Sequence, residues 1–446
     1  MKTAKFIFIS ITLGLFAGLP LAKAQSDTAE WDLARCINYA WQNNIQVQKS
    51  ELQTQSSEVN YEQAKANRFP SVNASVSQNF AWSRPLGQNN AYGDYSGSNS
   101  TNYSVSSSVP LFNGGKLNNT VKQSSLSNQI SQFNTDITKE NIGLSVADAY
   151  LQVIYAEEQV KNSEKQVEST DEQLRLAGER VKLGAISQAD YLQVKSQLAS
   201  EKLTLANANK VLAVNRVTLM QLLEIPVNDS FRIVHPDLSN FTIENRRPVA
   251  DSIYQIALGI KPEIKSAELS NESAELDVNI AKADYLPRLT LNGGVSTAYA
   301  SSLSSLAYDY QVKNELRPSL GLSLSIPIYQ NNDVRNRVSL AKIGSQNAKL
   351  SEIDTRNQLR KEIEQACVNV NSAEKQYQAS LEEYDATKES YDVSAEKFEN
   401  GLISSIDFLI QKNNLIIAES SLLQSKYNLI YSYKTLDFYS GVPLTL

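Results

Sequence analysis

The chain has 446 residues, with 48 acidic against 42 basic side chains and a formal net charge of −6, a balance unsuited to binding nucleic acid. Cys36 and Cys367 do not indicate a disulfide framework, and the one histidine, His235, has no neighbouring Cys or acidic cluster to complete a metal site. The sequence contains no nucleotide-binding, dinucleotide-binding, nucleophile-elbow or zinc-protease motif, so we expect neither a cofactor nor an enzymatic activity.

Residues 1–24 have the pattern of a secretory signal peptide. Two Lys precede an apolar run over residues 6–21, and the sequence AKA at residues 22–24 is a small-x-small cleavage site. The mature chain is therefore expected to begin at Gln25, with 39 basic against 48 acidic side chains. No cysteine stands at the cleavage point, so a lipid anchor is not expected, and no later run of 18 apolar residues predicts a membrane-spanning helix.

A helical segment over roughly Ile45–Asn67 leads into two predicted strands. Beyond Pro70, apolar residues alternate with Ser and Asn over about 70–82, and the alternation returns over about 102–112. A period of two is typical of strands, and about ten to twelve residues is the length that a tilted strand needs to cross a bilayer. The stretch 83–101, rich in Gly, Asn, Ser and Tyr, is predicted to be the loop that joins them.

The next segment, from Gly115 to Gly184, has the period of a long coiled-coil helix. Large apolar residues recur every seven positions and small residues follow three positions later, a pattern that lets neighbouring helices approach closely. The large residues are Val146, Val153, Val160, Val167, Leu174 and Val181, and the small ones are Ala149, Ala156, Ser163, Thr170 and Ala177. At about 1.5 Å per residue the segment would reach roughly 100 Å.

The chain is predicted to reverse in a tight turn at residues 184–187. Gly184 suits the C-terminal cap of the long helix, and Ser187 suits the N-terminal cap of a returning helix, with Asp190 at capping-box spacing. The returning helix runs to Pro226 and covers only about 57 Å, so the helix over residues 45–67 could stack on its end. Residues 227–248 are predicted to be a connector, and His235 is interpreted as a connector residue.

The same unit then recurs later in the chain, and the position numbers of matching landmarks differ by the same amount each time. The paired landmarks are Pro70 and Pro287, Pro110 and Pro327, Gly184 and Gly401, and Pro226 and Pro443. A period this long excludes a solenoid and predicts two copies of one structural unit, a first repeat over 25–226 and a second over 249–446. The second repeat has predicted strands at about 287–299 and 318–328, a loop over 300–316 and a tip turn at 401–404, with Ser404 and Asp407 in the capping positions.

The apolar faces of the four predicted strands must be buried away from water. A soluble antiparallel sheet would show the same alternation, but the strands are expected as two isolated hairpins, and no other segment is shaped to cover them. In a bilayer, open sheet edges are forbidden, so the strands must close into a barrel, and the smallest membrane barrels have eight strands. The chain must therefore oligomerise, and a trimer would supply twelve strands with a hydroxyl-rich face around a wet lumen.

The doubled helix–strand–loop–strand–helix unit resembles the TolC family of outer-membrane efflux proteins. The motifs that carry the resemblance are KANRFPSV and KADYLPRL entering the strands, SVPLFNGG and SIPIYQNN leaving them, and LGAISQAD and NGLISSID at the turns. The resemblance covers nearly all of the mature chain. It implies an α+β membrane protein: a homotrimer whose twelve-stranded β-barrel, four strands per chain, is continued by a long α-helical coiled-coil barrel.

The resemblance also implies roles for the residues at the turns. Asp407 matches the position at which the family places acidic groups near the pore constriction, and Asp190 is its counterpart in the first repeat. The family often has a second acid three residues later, where this chain has Ile410, and Phe398 and Ile403 beside the turn cannot form hydrogen bonds through their side chains. Helix capping is the alternative role for both aspartates. The residues implied to dock a periplasmic adaptor are Leu183, Gly184, Ala185, Ser187, Asn400, Gly401, Leu402 and Ser404.

The implied function is that of a passive exit duct in a tripartite efflux or type I secretion system, in the outer membrane with its helical part in the periplasm. Its partners would be two further copies of the chain, a periplasmic adaptor protein, an inner-membrane transporter and outer-membrane lipid. The alternative is a barrel-anchored, trimeric coiled-coil structural or adhesive surface protein. Such proteins usually carry their anchor strands at one end, whereas these strands form two widely separated pairs, one inside each repeat.

Overall fold

The computed structural model describes residues 31–84, 92–227, 231–236, 249–303 and 305–445. The predicted signal peptide and most of the predicted connector lie outside the described residues. Among the helices that are described, none is both long enough and apolar enough to cross a membrane.

The two repeats match in the lengths of their four main helices and of their first strands, but their second strands differ in length and a short extra helix lies between the strands of the second repeat. The first repeat consists of α1 (Leu33–Asn43), α2 (Ile45–Ala66), β1 (Ser71–Ser83), β2 (Ser96–Phe112), α3 (Lys116–Lys182) and α4 (Gln188–Leu222). The second consists of α5 (Ala250–Ile260), α6 (Pro262–Ala283), β3 (Arg288–Ala300), α7 (Tyr308–Asn314), β4 (Arg317–Ser325), α8 (Asp333–Glu399) and α9 (Ser405–Tyr439). The long helices α3 and α8 have 67 residues each and the returning helices α4 and α9 have 35 each. The predicted α+β architecture with an internal repeat is confirmed.

Two shorter helices lie end to end beside the long helix of the first repeat. The chain breaks between α1 and α2 at Asn44, whose side chain accepts a hydrogen bond from the Gln46 backbone N–H (2.9 Å) as an N-terminal cap. The same side chain donates to the carbonyl oxygen of Leu222, the last residue of α4, at 3.0 Å. Asn44 therefore joins the start of α2 to the end of α4, and both helices pack along α3, which is about 100 Å long.

The strands form one antiparallel sheet in the order β1-β2-β3-β4. The prediction of two isolated hairpins is therefore wrong, because β2 of the first repeat pairs along its length with β3 of the second. The predicted loop over 83–101 is also too long, since β2 begins at Ser96, opposite Ser83. Backbone pairing continues through this segment although its Gly, Ser and Asn residues no longer alternate with apolar ones. In the second repeat, the predicted loop 300–316 contains α7, and β4 ends at Ser325, before the predicted 328.

The register gives the sheet one apolar and one hydroxyl-rich face. Residues directly opposite each other on neighbouring strands point to the same face. The apolar residues meet one another across the sheet, as in the pairs Ala74 and Val105, Val105 and Val295, and Leu291 and Leu322. On the opposite face, the hydroxyls of Ser75 and Ser104 are 2.7 Å apart. All residues of β1 and β4 are exposed in the single chain, so neither face is covered by another part of the described protein at these edges.

The main core lies where α1, α3 and α4 meet. The seven-residue pattern of α3 is buried there, with Val146, Val153, Ala149 and Ala156 all inside. Tyr150 links the residues just before α1 to the connector, because its hydroxyl lies 3.1 Å from the carbonyl oxygen of Trp31 and 2.6 Å from that of Val234. Both cysteines are buried and free.

His235 lies in the described part of the connector. Its Nε2 atom is 2.6 Å from Oε2 of Glu157 on α3, and the guanidinium of Arg216 on α4 contacts the other oxygen of the same carboxylate at 2.6 Å. The contact attaches the connector to the helical hairpin of the first repeat.

A buried carboxylate stands where the helices meet the sheet. Asp284, the C-terminal cap of α6, is 2% exposed and bonds to Lys116 of α3 (2.9 Å), Arg288 of β3 (2.5 Å) and Arg337 of α8 (2.5 Å). Burial raises the pKa of Asp284, but the hydrogen bond and charge of Lys116 and the charges of the two Arg residues outweigh it, so the pKa is lowered overall. The ionised carboxylate links three elements of the second repeat to the start of α3.

Candidate functional site at the helical tips

Each long helix ends in a left-handed glycine. We call residues 182–190 the first tip and residues 399–407 the second tip. Gly184 has φ of 74° and Gly401 has φ of 72°, a conformation that side chains with a Cβ atom rarely adopt. In each tip a backbone N–H reaches back five residues to the helix end: Ala185 donates to the carbonyl of Arg180 and Leu402 to that of Lys397, both at 2.8 Å. These bonds close the helix in a Schellman motif.

Serine and aspartate side chains begin the returning helices. In the first tip, Ser187 Oγ accepts from the Asp190 N–H (3.1 Å), and Asp190 Oδ2 accepts from the Ser187 N–H (3.2 Å), which completes a capping box. In the second tip, Ser404 Oγ accepts from the Asp407 N–H at 3.2 Å and donates to Asp407 Oδ2 at 2.8 Å. The Asp190 carboxylate therefore caps a backbone N–H directly, whereas the Asp407 carboxylate contacts the hydroxyl of Ser404, which is the cap of α9.

The two aspartates differ in their contacts with the other tip. Ser405, the first residue of α9, is buried and its hydroxyl donates to Asp190 Oδ1. This hydrogen bond, together with those from Ser187, lowers the pKa of Asp190 below its ordinary value. Asp407 is exposed. The structure thus brings Asp190 against the second tip and leaves Asp407 at the surface of the single chain.

The tips present apolar side chains to solvent. Leu183 is 84% exposed and Leu402 is 73% exposed, while Ala185 and Asn400 beside them are also exposed. The predicted docking residues therefore form two similar exposed turns at the same end of the molecule. Their role in docking stays a prediction.

Arg180 and an aromatic stack connect the hairpins just inside the tips. Phe398 of α8 stacks on Phe408 of α9 with ring centroids 4.7 Å apart. The guanidinium of Arg180 on α3 lies 5.9 Å from the Phe398 ring and donates to the carbonyl oxygen of Glu399 at 3.3 Å. Phe398 thus supplies no hydrogen bond of its own, but Arg180 and Ser405 make polar contacts between the hairpins that sequence reasoning missed.

A buried ion pair joins the two hairpins farther from the tips. Lys412 of α9 is 4% exposed and Glu201 of α4 is 5% exposed, and Lys412 Nζ is 3.5 Å from Glu201 Oε1. The Thr170 hydroxyl of α3 bonds to both partners. Burial lowers the pKa of Lys412, while the charge and hydrogen bond of Glu201 oppose that shift.

Glu201 could have been found in the sequence. It occupies the position three residues after Leu198 in the seven-residue pattern of α4, between Val194 and Ala208. A carboxylate at a position that otherwise holds small or apolar residues signals a buried polar contact. Lys412 gives no comparable signal, because it falls one position outside that pattern in α9. A further contact beside the pair, from Gln197 Nε2 to Asn413 Oδ1 at 2.9 Å, again joins α4 to α9.

Comparison with known protein families gives two matches on this chain. Both are to outer membrane efflux proteins, one over residues 36–224 and the other over residues 253–442. The matches span well over half of the chain, and their starting positions are separated by the same displacement as Pro70 and Pro287, in agreement with the internal repeat. The chain belongs to the outer membrane efflux protein family. The resemblance to the TolC family is thereby confirmed.

Solved structures of outer-membrane channels share the fold of this family member. CusC, whose structures concern folding and transmembrane channel formation, is 19% identical with a TM-score of 0.80, and the match covers 93% of each chain. The Campylobacter jejuni CmeC outer membrane channel is 18% identical with a TM-score of 0.79, over 97% of this chain and 93% of that one. The open state of the Neisseria gonorrhoeae MtrE outer membrane channel is 19% identical with a TM-score of 0.76, over 93% and 90%. No curated protein sequence matches the chain.

Members of the outer membrane efflux protein family are passive channels and not enzymes. In this family member, the residues described by the structure include no group of three or more His, Cys, Asp or Glu side chains placed to hold a metal ion. The described residues form an apolar sheet face, exposed tips and polar contacts between the two hairpins.

Proposed function

We propose that three copies of this chain form an outer-membrane channel that serves as the exit duct of a tripartite efflux or type I secretion system. The duct is passive, and its inner-membrane transporter supplies the energy. A periplasmic adaptor connects the transporter to the helical tips.

The single observation that carries the proposal is the four-stranded sheet with two open edges. β1 and β4 have no partner on their outer sides among the described residues, and one face of the sheet is apolar and exposed, as at Val76, Phe80 and Leu322. In a bilayer such edges would leave backbone N–H and C=O groups unpaired, at several kcal/mol each. Closure of three sheets into one twelve-stranded barrel removes every edge and turns the apolar face to lipid.

The helical part supports a duct that crosses the periplasm. α3 and α8 each extend about 100 Å from the sheet to the tips. They place Leu183 and Leu402 at the end farthest from the barrel, where an adaptor in the periplasm would meet them. Asp407, and Asp190 beside it, are the residues that we assign to the constriction at that end.

The proposal is tested by conductance of the purified protein. The full chain in detergent should have the mass of three copies by native mass spectrometry, and it should open stable, ohmic channels in a planar lipid bilayer. A protein boiled before reconstitution serves as the control. A trimer that conducts no ions would contradict the channel and would favour the structural or adhesive alternative.

The coupling to partners is tested separately in cells. Cysteine placed at Leu183 or Leu402 should cross-link to a periplasmic adaptor encoded near this protein, and a strain lacking this chain should lose export of the substrates of that system. Conductance without such cross-linking would support a channel but contradict the tips as the docking surface.

A further inference from the structure

The internal repeat provides a template for the contact between neighbouring copies of the chain. Within one chain, β2 of the first repeat pairs with β3 of the second. The difference in residue number between Pro110 and Pro327 also relates β2 to β4 and β1 to β3. We infer that β4 pairs with β1 of the partner subunit in the register that β2 and β3 already show. The inference rests on the proposed trimer. It specifies, residue by residue, the pairing between β4 and β1 of the partner subunit, which we call the seam.

The register follows directly from the observed pairs. Ser106 of β2 lies opposite Gly294 of β3. Their counterparts are Ser323 of β4 and Ser77 of β1, so Ser323 lies opposite Ser77 of the partner subunit.

The ends of the two edge strands agree with this register independently. The pair Ser100 and Ala300 closes the β2–β3 contact at one end. Its counterparts are Arg317 and Ser83, and these are the first residue of β4 and the last residue of β1. The two open edges therefore begin flush with each other.

The faces of the sheet agree as well. The register sets Leu324 opposite Val76 of the partner subunit and Leu320 opposite Phe80 of the partner subunit, so apolar residues meet on one face. A shift by one residue would turn one whole strand to the wrong face. A shift by two residues would keep the apolar faces matched. That register is excluded only by the internal repeat and by the flush ends of the two edge strands.

The seam would also lengthen β4. β2 remains paired up to Phe112, opposite Leu289, after a bulge. The counterpart of Phe112 is Tyr329, four residues beyond the end of β4 in the single chain. Residues 326–329 are outside any strand, and Ile328 is 95% exposed. In the proposed trimer Ile326, Pro327 and Tyr329 lie opposite residues of β1 of the partner subunit and Ile326 extends the apolar face, while Ile328, the counterpart of Leu111, takes the bulge position.

Disulfide cross-linking distinguishes the three registers that keep the faces matched. Ser323→Cys is combined in turn with Ser75→Cys, Ser77→Cys and Asn79→Cys, in full-length protein whose Cys36 and Cys367 are replaced by Ala. Directly opposite residues have Cβ atoms about 4.5–5.5 Å apart, whereas diagonal neighbours are about 7–8 Å apart. A disulfide needs Cβ atoms about 3.5–4.5 Å apart, so only the directly opposite pair is within easy reach. Ser104→Cys with Ser296→Cys, an observed pair, is the control for bonding within one chain.

We expect mild oxidation to give covalent dimers and trimers with Ser323→Cys and Ser77→Cys, and to leave the other two combinations and each single variant as monomers on denaturing gels. The control pair should oxidise without any increase in mass. The native mass of each variant is measured before oxidation. Trimers that cross-link instead through position 75 or 79 would overturn the register and leave the proposed channel intact. A protein that has the native mass of a monomer would overturn both the register and the proposed channel, because no partner edge would then exist.

Discussion

At the scale of single residues, Gly401 shows a constraint that comes from the backbone alone. Its φ is 72°, and a Cβ atom added there would meet nothing within 4 Å. An L-residue in this conformation costs about 1–2 kcal/mol, and a β-branched one costs more, whereas Asn tolerates it. We expect Gly401→Val to distort the second tip and to abolish cross-linking to the adaptor, while the barrel still assembles.

Gly401→Asn is the matched control, because Asn is similar in size to Val but tolerates the left-handed conformation of the turn. It should retain adaptor cross-linking and export in cells. Loss of both functions in the Asn variant as well would show that the exposed surface at this position matters more than the turn.

The buried ion pair of Lys412 and Glu201 makes a different prediction at the same scale. Removal of one partner leaves the other as an uncompensated buried charge, which costs about 3–5 kcal/mol. We expect Lys412→Met and Glu201→Met each to lower the midpoint of chemical unfolding, followed by circular dichroism of the helices. The double variant Lys412→Met/Glu201→Met should recover most of the loss, since both charges are gone. Additive losses in the double variant would show that the two side chains act independently.

At the scale of secondary-structure elements, the faces of the strands can be tested with two neighbouring residues. Leu322 belongs to the apolar face of β4 and Ser323 to the hydroxyl-rich face, and both are exposed in the single chain. Leu322→Arg would place a charge against lipid near the middle of the membrane, at about 2–4 kcal/mol. We expect it to reduce the yield of folded trimer in the outer membrane, whereas Ser323→Arg, which faces the lumen, should assemble normally. Equal loss of trimer in both variants would contradict the assigned faces.

Sequence patterns predict some of these elements and not others. Seven-residue periods predict the long helices because burial repeats with each pair of turns, and Val146, Val153, Ile363 and Val370 are buried as expected. The start of β2 at Ser96 was not predictable in the same way, since backbone hydrogen bonds, which any residue can make, extend the strand through Gly, Ser and Asn. Pairing between β2 and β3 is a contact between two repeats that are distant in the sequence, and no local period encodes it.

The tips were predictable only in part. Gly184, Ser187 and Asp190 could be assigned because turn and capping chemistry depends on residue type at short spacing. The bond from Ser405 to Asp190 depends on how two hairpins pack, and it breaks the equivalence of the repeats, because Gln188 stands at the position of Ser405 in the first one.

At the scale of the whole molecule, the proposed trimer brings three copies of Asp407 around one axis. At roughly 8 Å separation in a water-like medium, each pair repels by about 0.5 kcal/mol, so the ring costs only about 1.5 kcal/mol. Such a ring would attract cations and raise the barrier to anions. We expect Asp407→Asn, which can still accept the hydrogen bond from Ser404 Oγ, to weaken cation selectivity with little loss of stability, and Asp407→Arg to shift selectivity toward anions.

The measurement is the reversal potential of single channels across a salt gradient, for the wild type and both variants. Asp190→Asn is informative beside them, because Asp190 is bonded to Ser405 and should change selectivity less. Unchanged selectivity in both Asp407 variants, with reduced thermal stability, would show that Asp407 only supports the Ser404 cap of α9.

In the proposed trimer, we expect the buried ion pair to determine which contacts between hairpins are mechanically weakest. The counterparts of Thr170, Glu201 and Lys412 are Thr387, Ala418 and Lys195, so the equivalent contact between neighbouring copies of the proposed trimer would have no carboxylate at these positions. We therefore expect the contacts between the two hairpins of one copy to be stiffer than the contacts between neighbouring copies.

Widening of the periplasmic end should therefore separate copies of the chain and leave the two hairpins of each copy together. A disulfide between Gln197→Cys and Asn413→Cys, which are in contact within one copy, should leave export unaffected. A disulfide at the equivalent joint between copies, from Asn414→Cys to Ser196→Cys of the partner subunit, should block it until a reductant is added. Export blocked by the first disulfide would place the moving joint inside the subunit. If only the second disulfide blocks export, each subunit moves as one unit. A duct built from six similar hairpins then opens with threefold symmetry.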